Sequence, residues 1–446
     1  MGRLFGTDGA RGVANSELTC ELALQIGRAA AMVLIDGNKK RPKVMIGMDT
    51  RISSNMLCSA ITAGLCSVGA DVMHLGVLPT PAVAYLVKKY KYDAAVMITA
   101  SHNPCEYNGI KIFQKDGFKL PDELEEKIEA IILDDADVPP VKIGADVGRI
   151  RTSEMPIFDY VRHLESTVDC TFEEYKIALD CANGASCVTA PELFTDLGAD
   201  THIKSSIPNG VNINRKCGST HMQGLQHLVL ENNCDIGFAF DGDADRMLAV
   251  DEKGRVVDGD KIIAICALDM KRRGVLTNDT AVVTVMSNMG FFKFCDEHGI
   301  KCEKTKVGDR YVLENMRKNN YKIGGEQSGH VIFYDYATTG DGQLTAIQLL
   351  SVMKRTGKKL SELADEMEVY PQVLINVKVS QIGKARYEND EEIKKAIASA
   401  EKELGDTGRV LVRVSGTEPL VRVMQDEEQI KTLAEEIAQV VKERLI

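Results

Sequence analysis

"NCDIGFAFDGDADR", residues 233–246, joins two textures that decide how the chain is built. Its first half is apolar from Ile236 to Phe240, the mark of a strand buried inside a layered α/β sheet. Its second half places carboxylates at alternate positions, Asp241, Asp243 and Asp245, and ends on Arg246. In extended or turn backbone that spacing lets three carboxylates converge on one hard cation, with Gly242 easing the bend. A calcium EF-hand is the sharpest competitor, since Glu252 falls at the twelfth position. It fails because Arg246 stands where a glycine is needed and the flanks read as strands. A solvated acidic turn is the bland alternative; a divalent metal site, magnesium by preference, is the expectation.

Working outward, the same grammar recurs. "KVMIGMDTR" (43–51), "SVGADVMHLG" (67–76) and "YDAAVMITASHNP" (92–104) form one set. "KIALDCANG" (176–184), "LFTDLGADTHIKS" (193–205) and the opening stretch form a second. "AVVTVMSNMG" (281–290), "FCDEHGIKCEKTKVG" (294–308) and "NYKIGGEQSGH" (320–330) form a third. Each set reads strand, helix, strand, helix, strand. Gly69, Gly198 and Gly299 stand at the first helix end, where glycine accepts the left-handed conformation. Ligands of open α/β sheets gather at the carboxyl ends of strands, and the last strand of each set delivers its most polar loop. From about Tyr370 the text changes to strand, charged helix, two strands and a final amphipathic helix, a smaller α+β unit.

The expected architecture is therefore three related mixed or parallel α/β domains plus a smaller C-terminal α+β domain. The boundaries fall at 1–150, 151–251, 252–368 and 369–446, with linkers near Asp134–Pro140 and Met367–Pro371. A chain of 446 residues is long enough for several cores. The net charge of −11 disfavours nonspecific nucleic-acid binding but leaves room for a local cationic pocket. The apolar run at 22–35 carries charge and is too short to span a bilayer, so no membrane association is expected. No secretion leader is read, and the twelve cysteines are scattered singly, which suits reduced thiols and a cytoplasmic protein.

Five further stretches carry polar chemistry. "VMITASHNP" (96–104) ends on Ser101 beside His102. In extended chain neighbouring side chains point to opposite faces, so His102 should face away from the Ser101 hydroxyl, and its partners should come from elsewhere. "RVSGTEPLVRV" (413–423) sets Ser415, Gly416 and Thr417 between Arg413 and Arg422, donors and guanidinium forks suited to a phosphate. "GGEQSGH" (324–330) offers a carboxylate, an amide, a hydroxyl and an imidazole to a polyhydroxylated ligand. "FGTDGARG" (5–12) carries Arg11, and "NGIK" ends on Lys111 not far from Ser101.

"GTDGARG", "TASHNP", "NGIK", "DGDADR", "GEQSGH" and "RVSGTEP", in that order, resemble the α-D-phosphohexomutase superfamily along essentially the whole chain. Within it the likeness is to the bacterial branch acting on glucosamine phosphates, through "FGTDGARGVAN", "KVGDRYV", "TTGDGQLTA" and "EPLVRVM". The departures are Ala10, where isoleucine or valine is common, and Val414, where proline is common; neither removes a functional group. The resemblance implies four domains around a central cleft. It implies that Ser101 is a phosphoserine, with Mg²⁺ held by its phosphate and by Asp241, Asp243 and Asp245. It also implies interconversion of glucosamine 6-phosphate and glucosamine 1-phosphate through glucosamine 1,6-bisphosphate, towards UDP-N-acetylglucosamine, in a homodimer.

By the same resemblance, Arg11 and Arg246 stabilise charge around the phosphoserine, and Lys111 or His330 moves the sugar hydroxyl's proton. Glu326 and Ser328 read sugar hydroxyls, and Arg413, Ser415, Gly416, Thr417 and Arg422 grip the phosphate that is not reacting. Apart from the resemblance, no motif shows directly how the 2-amino group is chosen; Asp309 and Gln327 are the candidates. The competing readings are a phosphomannomutase/phosphoglucomutase, a metal-dependent sugar phosphatase and a noncatalytic sugar-phosphate sensor.

Overall fold

The computed structural model describes residues 3–445 apart from 7, 35–40, 135, 137–139, 381–382, 384–385, 388–389, 405–408, 415–419 and 427–429. Among the described residues the apolar runs become strands of four sheets. The first holds β1 (Ala10–Val13), β2 (Lys43–Met48), β3 (Asp71–Val77), β4 (Ala94–Ile98), β5 (Tyr107–Gln114) and β6 (Ile150–Thr152), ordered β1-β5-β4-β2-β3-β6. The second holds β7 (Lys176–Asp180), β8 (Asp200–Lys204), β9 (Ile236–Phe240), β10 (Met247–Asp251) and β11 (Val256–Val257), ordered β11-β10-β9-β7-β8. The third holds β12 (Thr280–Thr284), β13 (Lys301–Thr305), β14 (Ile323–Gly325) and β15 (Val331–Phe333), ordered β13-β12-β14-β15. The last holds β16 (Gln372–Lys378), β17 (Val410–Val414) and β18 (Leu420–Asp426), all antiparallel, in the order β16-β18-β17.

The three repeats share one topology. Their first strands, β2, β7 and β12, lie in the middle, flanked in parallel by the second and third strands of the same repeat. Each third strand then turns back into an antiparallel neighbour: β4 into β5, β9 into β10, β14 into β15. That fourth strand is absent from the strand-helix rhythm of the sequence, and it has a consequence. The polar loop of every repeat becomes a tight return at the carboxyl end of the sheet, where a ligand can be reached.

The first helix of each repeat ends as its glycine dictates. After Ile52–Ser67, Ala190–Asp196 and Met289–Glu297, one capping residue precedes Gly69, Gly198 or Gly299, with φ of 92°, 86° and 62°. Each glycine N–H returns to a carbonyl of its helix, Cys66, Thr195 or Asp296, which satisfies an end that a side chain would strain.

Burial explains which segments are apolar all round. All five residues of β4 and all five of β9 are buried, as are the residues from Gly342 to Met353 of helix Gly342–Thr356. Asp341 caps that helix by accepting the Leu344 N–H at 2.9 Å. One apolar cluster runs through the first three sheets, from Met45 and Met97 through Leu179 and Phe240 to Val283 and Leu349. The last sheet has its own, built from Val377, Ile393, Ile437, Val441 and Leu445. The chain therefore joins three repeats through a shared core and leaves the fourth unit on a separate one. This is the mixed α/β and terminal α+β architecture read from the sequence.

Candidate active site

The returns after β4, β9 and β14 meet at one place. Ser101 follows β4 and donates its hydroxyl to Asp241 Oδ2 at 2.6 Å, the first residue after β9. His330, just before β15, places Nδ1 3.8 Å from Asp245 Oδ2. Ser101, Asp241, Asp243, Asp245 and His330 are all buried. Residues far apart in sequence thus become neighbours because three copies of one loop converge.

Ser101 does not lie in extended chain. Its φ is 52°, a left-handed conformation that costs a residue with a side chain on the order of 1 kcal/mol. This corrects the expectation for His102: the twist brings His102 Nδ1 to 3.4 Å from the Ser101 hydroxyl. The alternation argument assumed extended backbone, and the structure departs from it at this residue. His102 is still a poor base, because burial, then Arg246 and Arg11, depress its pKa to about 4. Its Nδ1 also lies 3.3 Å from Arg246 Nη1.

Gly242 has a different use from the one its place in the loop suggests. The left-handed residue is Ala244, at φ 56°. A Cβ on residue 242 would come within 2.5 Å of the Ser101 carbonyl oxygen, so glycine is required for close approach. The carboxylate loop and the serine loop are packed backbone to backbone.

One carboxylate oxygen from each of Asp241, Asp243 and Asp245 lies within 4.8 Å of the others. Burial, with Asp245 and Asp243 beside it, pushes Asp241 well above the usual carboxylate range. Burial would also raise Asp245, but Lys111, then the hydrogen bond and charge of His330, outweigh it and hold Asp245 well below that range. Asp243 Oδ1 and Asp245 Oδ1 are buried without a hydrogen-bond partner. Three hard oxygen donors with two oxygens unsatisfied fit a hard divalent cation. Nearby, Arg11 Nε and Arg246 Nε are buried and equally without partners. Unused guanidinium donors beside a serine hydroxyl fit a phosphoryl group in the same way.

Lys111 sits within this cluster, 1% exposed. Its Nζ lies 2.9 Å from Asp243 Oδ2, 3.3 Å from Asp245 Oδ2 and 3.1 Å from Asp8 Oδ2. Burial opposes its charge, yet Asp243, Asp8 and Asp245 outweigh burial and raise its pKa above the ordinary lysine value. His330 feels opposed influences. Burial favours the neutral ring, and so does the Gly340 N–H, which donates to Nε2 at 3.0 Å and needs its lone pair. The hydrogen bond and charge of Asp245, with Asp309, prevail and raise its pKa. Arg11 pairs with Asp8, and Arg246 Nε lies 3.9 Å from Asp245 Oδ1.

Glu326 is half-buried and accepts the Gly308 N–H at 3.1 Å, while Ser328 is exposed on the same return. Gln327 is turned away to Asp258 Oδ2 at 3.1 Å, and Asp309 is paired with Lys119 at 2.6 Å. The backbones of Arg413 and Arg422 face each other across β17 and β18. Ser415, Gly416 and Thr417 lie outside the described residues.

Several residues of the site carry no signal strong enough to be read from the sequence. Asp8 lies inside the quoted "FGTDGARG" but shows its place only by ion pairs with Lys111 and Lys119. Thr80 donates to Asp243 Oδ2 at 2.6 Å, although a threonine before Pro81 reads as ordinary helix-start text. Lys119 spans Asp8 and Asp309, and nothing local marks it out. Arg51 and Asn214 hold the serine loop from behind, as described below.

Known families match this chain segment by segment. Residues 2–138, 159–254 and 258–370 match the alpha/beta/alpha domains I, II and III of phosphoglucomutase/phosphomannomutase, and 374–440 match its C-terminal domain. The chain belongs to the phosphoglucomutase/phosphomannomutase family and is an isomerase that transfers a phosphoryl group. Among curated relatives, phosphoglucosamine mutases of Caldanaerobacter subterraneus subsp. tengcongensis and Acetivibrio thermocellus are 56% and 55% identical, each match covering 100% of both chains. A phosphoglucomutase/phosphomannomutase family protein of Burkholderia thailandensis has the same fold. Its TM-score is 0.82 at 23% identity, covering 99% of this chain and 98% of that one. No helix among the described residues is long and apolar enough to cross a membrane.

Proposed function

We propose that the chain interconverts glucosamine 6-phosphate and glucosamine 1-phosphate, with Ser101 as the phosphoryl carrier and glucosamine 1,6-bisphosphate as the intermediate. The observation that carries the reaction is the Ser101 hydroxyl against Asp241, among carboxylate oxygens and guanidinium nitrogens that lack hydrogen-bond partners. The substrate rests on full-length relatives bearing the name phosphoglucosamine mutase. Mg²⁺ is the metal proposed for Asp241, Asp243, Asp245 and the seryl phosphate; when bound it offsets charge on the moving phosphoryl group.

In the forward direction the sugar 1-hydroxyl attacks the phosphorus on Ser101. The Ser101 Oγ–P bond breaks as the sugar O–P bond forms, and the hydroxyl proton passes to a base on the enzyme. The bisphosphate then presents its 6-phosphate, which returns to Ser101 as the proton returns to the leaving sugar oxygen. Phosphoryl transfer of this kind depends on positioning and charge more than on covalent machinery. Arg11 and Arg246 face the phosphoryl group. Lys111, surrounded by carboxylates, stays an ammonium and suits charge neutralisation and hydrogen-bond donation more than proton transfer. His330, an imidazole whose pKa Asp245 and Asp309 raise against the effect of burial, suits the shuttle that both takes and returns the proton. Glu326 and Ser328 bind sugar hydroxyls, and Arg413, Ser415, Gly416, Thr417 and Arg422 hold the distal phosphate. The active form is proposed to be a cytoplasmic homodimer.

Intact-mass measurement with phosphosite mapping tests the carrier: one phosphate at Ser101 that exchanges with added sugar bisphosphate is expected. Comparison of kcat/KM on glucosamine 6-phosphate and glucose 6-phosphate tests the substrate. A preference for glucose would replace this reading with a phosphoglucomutase, and free phosphate released as fast as isomer would replace it with a phosphatase.

A further inference from the structure

The backbone behind Ser101 is held by two side chains that do not touch the reacting atoms. Arg51, at the start of helix Ile52–Ser67, has a side chain with no solvent exposure. Its Nη1 donates to the Pro104 carbonyl at 2.6 Å, and its Nη2 to those of Ser101 and Asn103 at 2.9 and 2.8 Å. Nε is spent on Asp49 Oδ2 at 2.9 Å, and Asp49 Oδ1 is fixed by the Ser54 hydroxyl and the Arg51 N–H. The donors of one buried guanidinium thus end on the serine loop or on the carboxylate that aims it.

The second side chain comes from the second repeat. Asn214 lies between β8 and the helix Gln223–Asn232, and its Nδ2 donates to the Ser101 carbonyl at 2.8 Å and the Asn103 carbonyl at 3.0 Å. Gly242 presses on the same carbonyl: a Cβ there would meet the Ser101 oxygen at 2.5 Å and Asn214 Nδ2 at 2.9 Å. The Ser101 carbonyl oxygen is therefore the point where Arg51, Asn214 and the carboxylate loop all meet.

We propose that Arg51, aimed by Asp49, and Asn214 are positioning residues for phosphoryl transfer: they clamp the carbonyl face of the Ser101 loop and lock its hydroxyl to the carboxylate loop. The inference rests on the reading of Ser101 as the phosphoryl carrier. Its physical basis is twofold. Ser101 is in a left-handed conformation that its own side chain disfavours, so outside bonds must maintain it. The carbonyl and the next N–H of a trans peptide also point in opposite directions, so fixing the Ser101 oxygen turns the His102 N–H to the opposite side of the loop. Because Asn214 reaches across from the second sheet, the serine and its carboxylate partners stay in register.

The test measures kcat, KM, thermal stability and the rate at which glucosamine 1,6-bisphosphate phosphorylates Ser101, on the full chain. Asn214→Ala and the near-isosteric Asn214→Asp, which loses the donors, are compared with Arg51→Lys. Gly242→Ala is an independent variant that crowds the same carbonyl while leaving Asn214 in place. The expected result is a fall of about 10- to 100-fold in kcat and in the phosphorylation rate with KM unchanged, since small misplacement of reacting atoms has effects of this size. Lower thermal stability with unchanged kcat, or a change in KM alone, overturns the clamp. Should wild-type protein accept no phosphate at Ser101, the carrier reading itself fails. Should wild type accept it and the variants accept it equally fast, only the clamp fails.

Discussion

Ser101 Oγ lies 2.6 Å from Asp241 Oδ2, across 140 positions of chain. A serine hydroxyl donating to a buried carboxylate whose pKa is raised by burial and by two neighbouring carboxylates is an arrangement that favours added positive charge. The same few ångströms therefore want a cation on one side and, through Arg11 and Arg246, an anion on the other.

Ser101→Ala removes the group proposed to carry phosphate and little else, since the residue is small and its carbonyl contacts belong to the backbone. Mutase activity is expected to fall by at least about 1,000-fold, in line with loss of a covalent nucleophile. Assay with added bisphosphate checks this. Activity within about tenfold of wild type would favour a noncatalytic sensor.

Asp243→Asn bears on the metal. The carboxylates are buried, not merely lining a surface, and Asp243 accepts from both Thr80 and Lys111. A cation bound at 100 times its Kd stabilises the folded chain by about 2.7 kcal/mol, a shift of several degrees in Tm. Scanning calorimetry with EDTA and with Mg²⁺ should show that shift in wild type and its loss in Asp243→Asn, together with reduced turnover. An unchanged Mg²⁺ response in the variant would remove Asp243 from the ligand set.

Lys111→Met deletes the ammonium that neutralises Asp8, Asp243 and Asp245. Leaving buried charges unpaired destabilises by about 3–5 kcal/mol. Because a divalent cation held by Asp241, Asp243 and Asp245 would face two of the same carboxylates, the loss is expected to be larger in EDTA than in Mg²⁺. Equal loss under both conditions would mean that lysine and metal act on separate charges.

Asp260 provides a pH test away from the proposed metal ligands. It is fully buried, and burial, then Asp258, raise its pKa from an ordinary 3.8 to about 7. Between those values the folded chain holds a proton that the unfolded chain has released. Its contribution to stability is thus greatest below about pH 4 and falls as pH rises to about 7, then levels off. The gap corresponds to at most roughly 4 kcal/mol. Denaturation of wild type and Asp260→Asn at pH 5 and pH 8 should show a smaller pH dependence in the variant; parallel curves would show that Asp260 does not titrate in that window.

Much of this protein was written locally. Runs such as "IGFAF" and "AAVMI" must be buried, glycines after helices set their ends, and carboxylates two apart on a turn gather at one point. These depend on neighbours along the chain, so the repeats, the fold class and the candidate loops could be read directly. The tertiary structure alone decided that three returns meet at Ser101, that His102 turns toward its neighbour, and that Gly242 serves close approach while Ala244 takes the left-handed turn. It alone gave Thr80, Asp8, Arg51 and Asn214 their places, because the value of a buried donor or charge depends on partners 50 or more residues away. Periodicity and turn chemistry are short-range, whereas charge pairing and satisfaction of buried polar groups are settled only once the sheets are packed.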